Sequence, residues 1–388
     1  MNSAPPRAIA ARLSAFYAAS FLVVGIQSPF WPLWLTGRGL DPREVGALLA
    51  AAIWAKVLVT PAIGAAADWL AAWRAMMIVL AAIACAGYAS LWPVYGFWPL
   101  LSLCLIASVA QSALMPLGDS ITLAAVRSDG LDYGRVRVWG SVSFIVAAMA
   151  SGALLSHAAS AGPRGDTVLF LVLVASVLLW LTCCASPAPP REAGGTPRLA
   201  LLGAMARDRR FWGFVVAASA IQASHQVYYG FGTLYWRSLG FSNGVIGCLW
   251  AEGVLAEIML FWQSRRLLAR LGPMGLMAAG ASAGILRWGL AGLVPGLLPA
   301  AVLQLLHALT FGATHLGAMH FLSRTVPPGA AASAQALYSG ASAGIGSGVV
   351  MLGAGALYAN YGGRAYLFMA ALSALGLAAV LRLAKTRA

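Results

Sequence analysis

The sequence predicts an all-α, polytopic membrane protein of twelve transmembrane helices in two six-helix bundles. Three observations carry this reading. Charged residues make up only 9% of the 388 and hydrophobic ones 61%, with a mean hydropathy of +0.81, whereas soluble domains carry about 25% charged residues. Apolar runs long enough to cross a bilayer core of about 30 Å recur twelve times between charged or Gly/Pro-rich punctuation. One long polar stretch rich in Pro, Gly and Arg, Ser186 to Arg210, falls midway and divides the chain into domains 1–186 and 211–388, with a linker over 187–210.

Span 1, residues 11–35, follows Arg7 and Arg12 and runs through GIQSPFWPLWL without a small-residue cleavage site, so it reads as a retained span and not a signal peptide. Spans 2 and 3, at 44–67 and 75–95, are joined by a short basic loop, Gly64 to Arg74. Spans 4, 5 and 6, at 98–126, 136–158 and 167–186, complete the first half. The second half has spans at 211–236, 244–264, 273–294, 297–322, 330–358 and 362–384, and its second span is also followed by a short basic loop, Gln263 to Gly272. Spans 1, 4, 10 and 11 are long, which predicts tilt, or kinks at Pro29, Pro32, Pro116 and the glycine series of span 11. That series also permits close helix contact and sliding.

The formal charge of +14 sits mainly in loops, where it reads as a topology signal and not as a nucleic-acid surface. With the N-terminus inside, eighteen of the 25 basic residues fall on the cytoplasmic side and five outside; Lys56 and Arg287 lie within spans. Both termini are therefore expected in the cytoplasm of a bacterial cell, with the chain in the inner membrane and the lipid bilayer as its surroundings. A functional monomer is expected. The five cysteines lie in apolar segments without ligand-like spacing, and neither a metal site nor a disulfide framework is predicted.

Ionisable groups inside spans are costly and mark functional positions. Val302 to His320 carries three histidines; His307 and His315, eight residues apart, are separated by about 80° around a helix and share an inward face. His320 lies near the cytoplasmic end. Asp119 in span 4 is two turns deep and needs a cation, for which Arg137 at the start of span 5 is the candidate. Lys56 in span 2 either faces a cavity or pairs with Asp119. In span 7, Gln222, His225, Gln226 and Tyr229 follow i, i+3, i+4, i+7 and form one polar stripe, suited to a wet cavity wall or to interhelical hydrogen bonding. Glu252 and Glu257 in span 8, with Arg287 in span 9, His307 and His315, make an acid, base and imidazole set suited to proton coupling, or alternatively a static ion pair between spans 8 and 9.

Two six-span halves around a basic linker are the layout of a major facilitator transporter. YYGF in span 7, AE in span 8, RWG in span 9, LHALTFGATHLGAM in span 10 and DYGRVRVWGS in span 5 resemble the phenylpropionate permease family of that superfamily over nearly the whole chain, and more distantly the lactose permease type of sugar/proton symporter. The second resemblance implies that Asp119 and Arg137 bind substrate, that Phe144 stands where a stacking tryptophan would be, and that Glu252, Arg287 and His307 serve binding and coupling. The pattern departs at Thr310, where a carboxylate would follow the histidine, and in span 7, where acids give way to the His225 stripe. Glu257 or His315 then becomes the proton carrier. The facilitator motif between spans 2 and 3 keeps Gly64, Asp68 and Arg74 only.

The expected function is proton-coupled import of a small organic solute by alternating access, with the proton as coupling ion and no other cofactor. Arg137, Lys56, Arg287 and the histidines suit a carboxylate; Phe144, Tyr228, Tyr229 and Trp31 suit an aromatic ring, as in a 3-phenylpropionate-like acid. A sugar or nucleoside symporter and an efflux facilitator of the same fold are the alternatives. An enzyme is not expected, since no HExxH-like spacing is present.

Overall fold

A computed structural model describes residues 6–70, 72–159, 166–187, 207–325 and 331–385. Most of the expected linker, 188–206, lies outside the described residues. Among those described there is no β-strand, as required of chain that crosses lipid by satisfying its backbone internally.

The first six helices are α1 (Pro6–Gly37), α2 (Pro42–Trp69), α3 (Trp73–Ser90), α4 (Phe97–Asp129), α5 (Tyr133–Ala159) and α6 (Asp166–Ala185). The second half has α7 (Arg209–Ala223), α8 (Gln226–Ser238), α9 (Asn243–Trp262) and α10 (Ser264–Leu293). Span 10 is α11 (Leu297–Leu305), a π-helical turn Ala308–Ala313 and α12 (Thr314–Thr325). Span 11 is α13 (Ala331–Ser339), a π segment Gly340–Gly346 and α14 (Ser347–Tyr361); a 3₁₀ turn Gly362–Arg364 leads into α15 (Ala365–Lys385).

Among the described residues, ten segments are long and apolar enough to span a membrane. Twelve were expected, and two departures account for the difference. Span 7 is broken between α7 and α8, so neither piece reaches spanning length. Spans 11 and 12 are separate helices, but the 3₁₀ turn Gly362–Arg364 between them carries too little polarity to interrupt one apolar stretch, Leu337–Lys385. Many large apolar side chains on these helices are exposed, Leu58, Leu298 and Leu375 among them. Lipid is the solvent that tolerates such a surface.

The basic stretch after α9 is not the loop expected from its charge. Ser264–Leu271 is helical, ends at Gly272 in the left-handed region (φ 63°), and Pro273 restarts the chain as the long part of α10. Leu267 and Leu268 pack on a cluster of Leu260, Leu276, Ala308 and Ala313, while Arg265, Arg266 and Arg270 are exposed. The short helix is amphipathic, and its apolar side overrides the loop-like charge pattern.

Two compact units emerge: Met1–Leu40 with Trp54–Gly194 and Ser242–Ala251, and Asp41–Ile53 with Gly195–Phe241 and Glu252–Ala388. In the first, α1 packs on α5 and α6, and α3 on α4 and α6. Gly25 permits the α1–α5 approach, since a Cβ there would lie 2.7 Å from the Phe144 carbonyl oxygen. In the second, α10 packs on α12 and α15, and α7 on α15.

Arg38, one of the five basic residues placed in outer loops, lies in the turn after α1 and is buried in the first unit. Its guanidinium donates to the Trp92 carbonyl at 3.0 Å and to Asp166 Oδ1 at 2.6 Å, and it lies over the rings of Trp34 and Tyr95 at 5.1 and 4.7 Å. It ties the end of α1 to the α3–α4 connection and the start of α6. Arg38→Ala is expected to cost about 2–3 kcal/mol, below the ~3–5 of a fully buried pair because Asp166 keeps some contact with water. A lowered thermal midpoint in detergent checks this; an unchanged midpoint would mean the clasp contributes nothing.

Candidate functional site

In the first unit, Asp119 does not pair with Arg137. Its carboxylate accepts hydrogen bonds from the hydroxyls of Tyr17 and of Tyr133, the latter at 3.1 Å, and Tyr17 also reaches Thr122 Oγ1 at 3.3 Å. The two phenols supply what a cation was expected to supply. Arg137 lies over the rings of Tyr17 and Phe21, at 5.2 and 4.1 Å, with no carboxylate in ion-pairing range among the described residues. Phe144 is buried beside Gly25. Lys56 is half-buried and forms no ion pair with Asp119, contrary to the pairing considered for it.

The first unit also contains a polar ring absent from the sequence reading. Gln27 Nε2 donates to the Tyr88 hydroxyl at 2.8 Å, which donates to Gln111 Oε1 at 2.5 Å, and Gln111 Nε2 points back to Gln27 Oε1 at 3.4 Å. Trp31 meets Tyr88 edge-on. Isolated glutamines in apolar runs were the only signal for it.

The second unit holds the denser site, and it begins with a break in span 7. Ser224 Oγ donates to the Ile221 carbonyl at 2.6 Å, and His225 Nδ1 bonds the Gln222 carbonyl at 3.1 Å. Two successive side chains engage carbonyls three residues back, and the His225 backbone N–H does the same at 3.2 Å. Such local bonds compete with the α-helical ladder. The stripe therefore does not follow one continuous helix: His225 and Gln226 are buried, while Gln222 and Tyr229 are half-buried. Trp288 Nε1 donates to Ser224 Oγ at 3.1 Å and pins the break to α10.

Arg287, 1% exposed, is the hub. Nη1 donates to His307 Nδ1 and to Thr310 Oγ1, each at 3.0 Å, and Nη2 donates to Gln304 Oε1 at 2.5 Å. The guanidinium has donors only, so the other protons are assigned outward from it. His307 Nδ1 accepts, which puts its ring proton on Nε2, facing Glu257 Oε2 at 3.9 Å. His225 uses Nδ1–H on a carbonyl, so its Nε2 accepts from the Thr310 hydroxyl at 3.1 Å. Gln304 Nε2 donates to the Tyr228 hydroxyl at 3.0 Å. The guanidinium also lies over the rings of Tyr228 and Trp288, at 4.9 and 4.4 Å.

Hydrogen bonds from a charged group contribute about 1.5–3 kcal/mol each and desolvated cation–π contacts about 2, enough to offset the several kcal/mol cost of burying the ion. Even so, no carboxylate lies within ion-pairing distance of Arg287 among the described residues. The charge is held by neutral groups.

The π turn Ala308–Ala313 follows His307 directly and points both His307 and Thr310 toward Arg287; such turns recur at functional sites. His315 does share a face with His307, but the Phe311 ring lies between them, stacked on His307 at 5.5 Å and on His315 at 6.1 Å. His315 thus stands one ring away from the network. Glu252 is half-buried and no contact joins it to Arg287 or His307. Gln304, which the sequence reading missed, was signalled by its place three residues before His307 in an apolar run.

A pocket in this unit opens beside the exposed Val294 and Pro295 and descends past Tyr235 and Tyr366 to Tyr228, Gln304 and Arg287.

A helical membrane chain with a buried, hydrogen-bonded charge cluster inside a bundle is a multi-pass membrane transporter, the class in which intramembrane charges mark solute and ion routes. The comparisons with known proteins agree. Residues 10–370 match the model of the MFS_1 like family, and the chain belongs to that family of major facilitator transporters. It is 31% identical over 368 residues to the probable 3-phenylpropionic acid transporter of Escherichia coli (strain K12), covering 94% of each chain. It is 27% identical to the maltose permease of Geobacillus stearothermophilus, over 95% of this chain and 93% of that one. The crystal structure of the nucleoside transporter NupG superposes with a TM-score of 0.86 at 18% identity, covering 97% of this chain and 99% of that one, a likeness of fold.

Proposed function

We propose that this transporter imports a small aromatic carboxylic acid together with a proton, by alternating access, as a monomer in the bacterial inner membrane with both termini in the cytoplasm. The observation that carries the reading is Arg287: a buried guanidinium, ringed by Tyr228 and Trp288, with no carboxylate of its own among the described residues. A solute bringing both a carboxylate and an aromatic ring suits that surrounding better than a neutral sugar, which would leave the charge as it is. The 31% identity to a probable 3-phenylpropionic acid transporter supports the same substrate class. Arg137 and Lys56, neither of them paired with a carboxylate among the described residues, would draw the anion in. Asp119, Phe144, Gln222, His225, Gln226 and Tyr229 are the remaining proposed substrate contacts.

Coupling follows from the direction of the protons. While Arg287 donates to His307 Nδ1, that nitrogen has no lone pair free. A substrate carboxylate that draws the guanidinium away frees Nδ1 to take a proton, and the Nε2 proton then passes to Glu257. Glu252 and His315 are the alternatives to Glu257 as carrier.

Uptake of labelled 3-phenylpropionate into proteoliposomes, with an inward proton gradient and then with a protonophore, tests the reading. Accumulation that collapses with protonophore is expected. Uptake of maltose or a nucleoside in its place would move the substrate to those classes, and gradient-driven extrusion would make the protein an efflux facilitator.

A further inference from the structure

The pocket above Arg287 lies within one unit, bounded by α8, α10, α11 and α15. Its rim is the α10–α11 connection. That connection lies at the opposite end of the long arm of α10 from the basic helix Ser264–Leu271, so the pocket opens on the membrane face away from those arginines. Its floor is chemically the centre of the transporter, because Tyr228, Gln304 and Arg287 are joined there in one hydrogen-bonded layer.

The size of the pocket decides what enters. Its free volume is about 30 Å³. One water molecule needs roughly 10–15 Å³ of such space, so the pocket admits two or three waters and no organic solute. The walls meet the second condition for water, several polar partners, through the guanidinium, the Gln304 amide and the hydroxyls of Tyr228 and Tyr366.

We infer that this pocket is a water-filled proton inlet: it carries protons from the face of the α10–α11 connection to the Arg287 layer, by a path separate from that of the organic substrate. The inference rests on the proposed coupling at His307. When a carboxylate holds Arg287, the nitrogen uncovered is His307 Nδ1, which the guanidinium on the pocket floor had capped. A hydronium O–H bond breaks, an Nδ1–H bond forms, and water remains. The imidazolium then gives its Nε2 proton to the Glu257 carboxylate, which becomes a neutral acid, and the ring returns to neutral. Arg287 acts as the gate, since it cannot be deprotonated and blocks the relay while it sits on His307.

Ala291, half-buried in the wall of the inlet, gives the test. Ala291→Cys in proteoliposomes is treated from the side of the α10–α11 connection with 2-aminoethyl methanethiosulfonate, with the parent protein treated in parallel because Cys248 is exposed. Mass spectrometry is expected to find position 291 labelled in the variant. Labelling should cut proton-driven uptake of 3-phenylpropionate by about tenfold or more while leaving counterflow between equal pools within about twofold. Ala300→Leu, which fills the same space from α11 without any reagent, should split the two activities in the same way. A variant that stays unlabelled at position 291, or uptake and counterflow falling together in the labelled protein, overturns the inlet. Labelling requires no transport, so an untreated parent that ignores 3-phenylpropionate sinks the substrate reading and leaves the inlet to be judged by its own readout.

Discussion

Arg287→Gln should reduce transport of 3-phenylpropionate by at least ~100-fold, in proteoliposomes and in counterflow alike. Glutamine keeps donors for one or two of the acceptors His307, Thr310 and Gln304 but removes the charge that the substrate carboxylate would meet. Losing one partner of a buried, hydrogen-bonded ion pair costs about 2–5 kcal/mol, and each 1.4 kcal/mol is tenfold. Arg287→Lys should fare little better, because an ammonium cannot serve three acceptors in a plane while lying flat on Tyr228 and Trp288. The discriminating measurement is inhibition by 3-phenylpropanamide, the neutral isostere. The parent should prefer the acid by a wide margin and Arg287→Gln should lose that preference. A variant that folds, shown by its melting curve, and still prefers the acid would remove Arg287 from substrate recognition.

Glu257→Gln is expected to separate coupling from translocation. The carboxylate faces His307 Nε2 at 3.9 Å, beyond hydrogen-bonding distance but within one small adjustment of it. The amide preserves shape and cannot take up the proton. Accumulation driven by a proton gradient should therefore vanish, while counterflow of 3-phenylpropionate persists at near the parent rate. Glu252→Gln, five residues earlier and joined to neither Arg287 nor His307, should leave coupling intact. If Glu252→Gln uncouples and Glu257→Gln does not, the relay runs through the wrong carboxylate. If both accumulate normally, the proton takes another path altogether.

The candidate site could be read in part from the chain. Arg287, His307, Glu257 and His225 stand out because ionisable groups in apolar runs have a high cost and few uses. Their spacing along the sequence did not reveal how they meet. The stripe on span 7 assumed an unbroken helix, and Ser224 and His225 break it by bonding carbonyls three residues back. His315 shares a face with His307 as its spacing implies, yet Phe311 occupies the space between them. Asp119 was assigned a cation, and tyrosines from α1 and α5 reached it first.

What the sequence by itself determined is the class of the molecule: an all-helical membrane chain, its spans bounded to within a few residues, and its intramembrane charges. These depend on the composition of each segment against lipid, a local property that needs no knowledge of neighbours. Tertiary structure alone decided the hydrogen-bond partners. Gln304 and Thr310 became ligands of a guanidinium, Arg38 in the turn after α1 became a buried clasp on Asp166, and a basic stretch folded as a helix because Leu267 and Leu268 found an apolar seat. Inside a bundle a polar group bonds with whichever donor or acceptor the packing brings within about 3 Å, and residues as far apart in the chain as His225 and Thr310 are paired only by that packing.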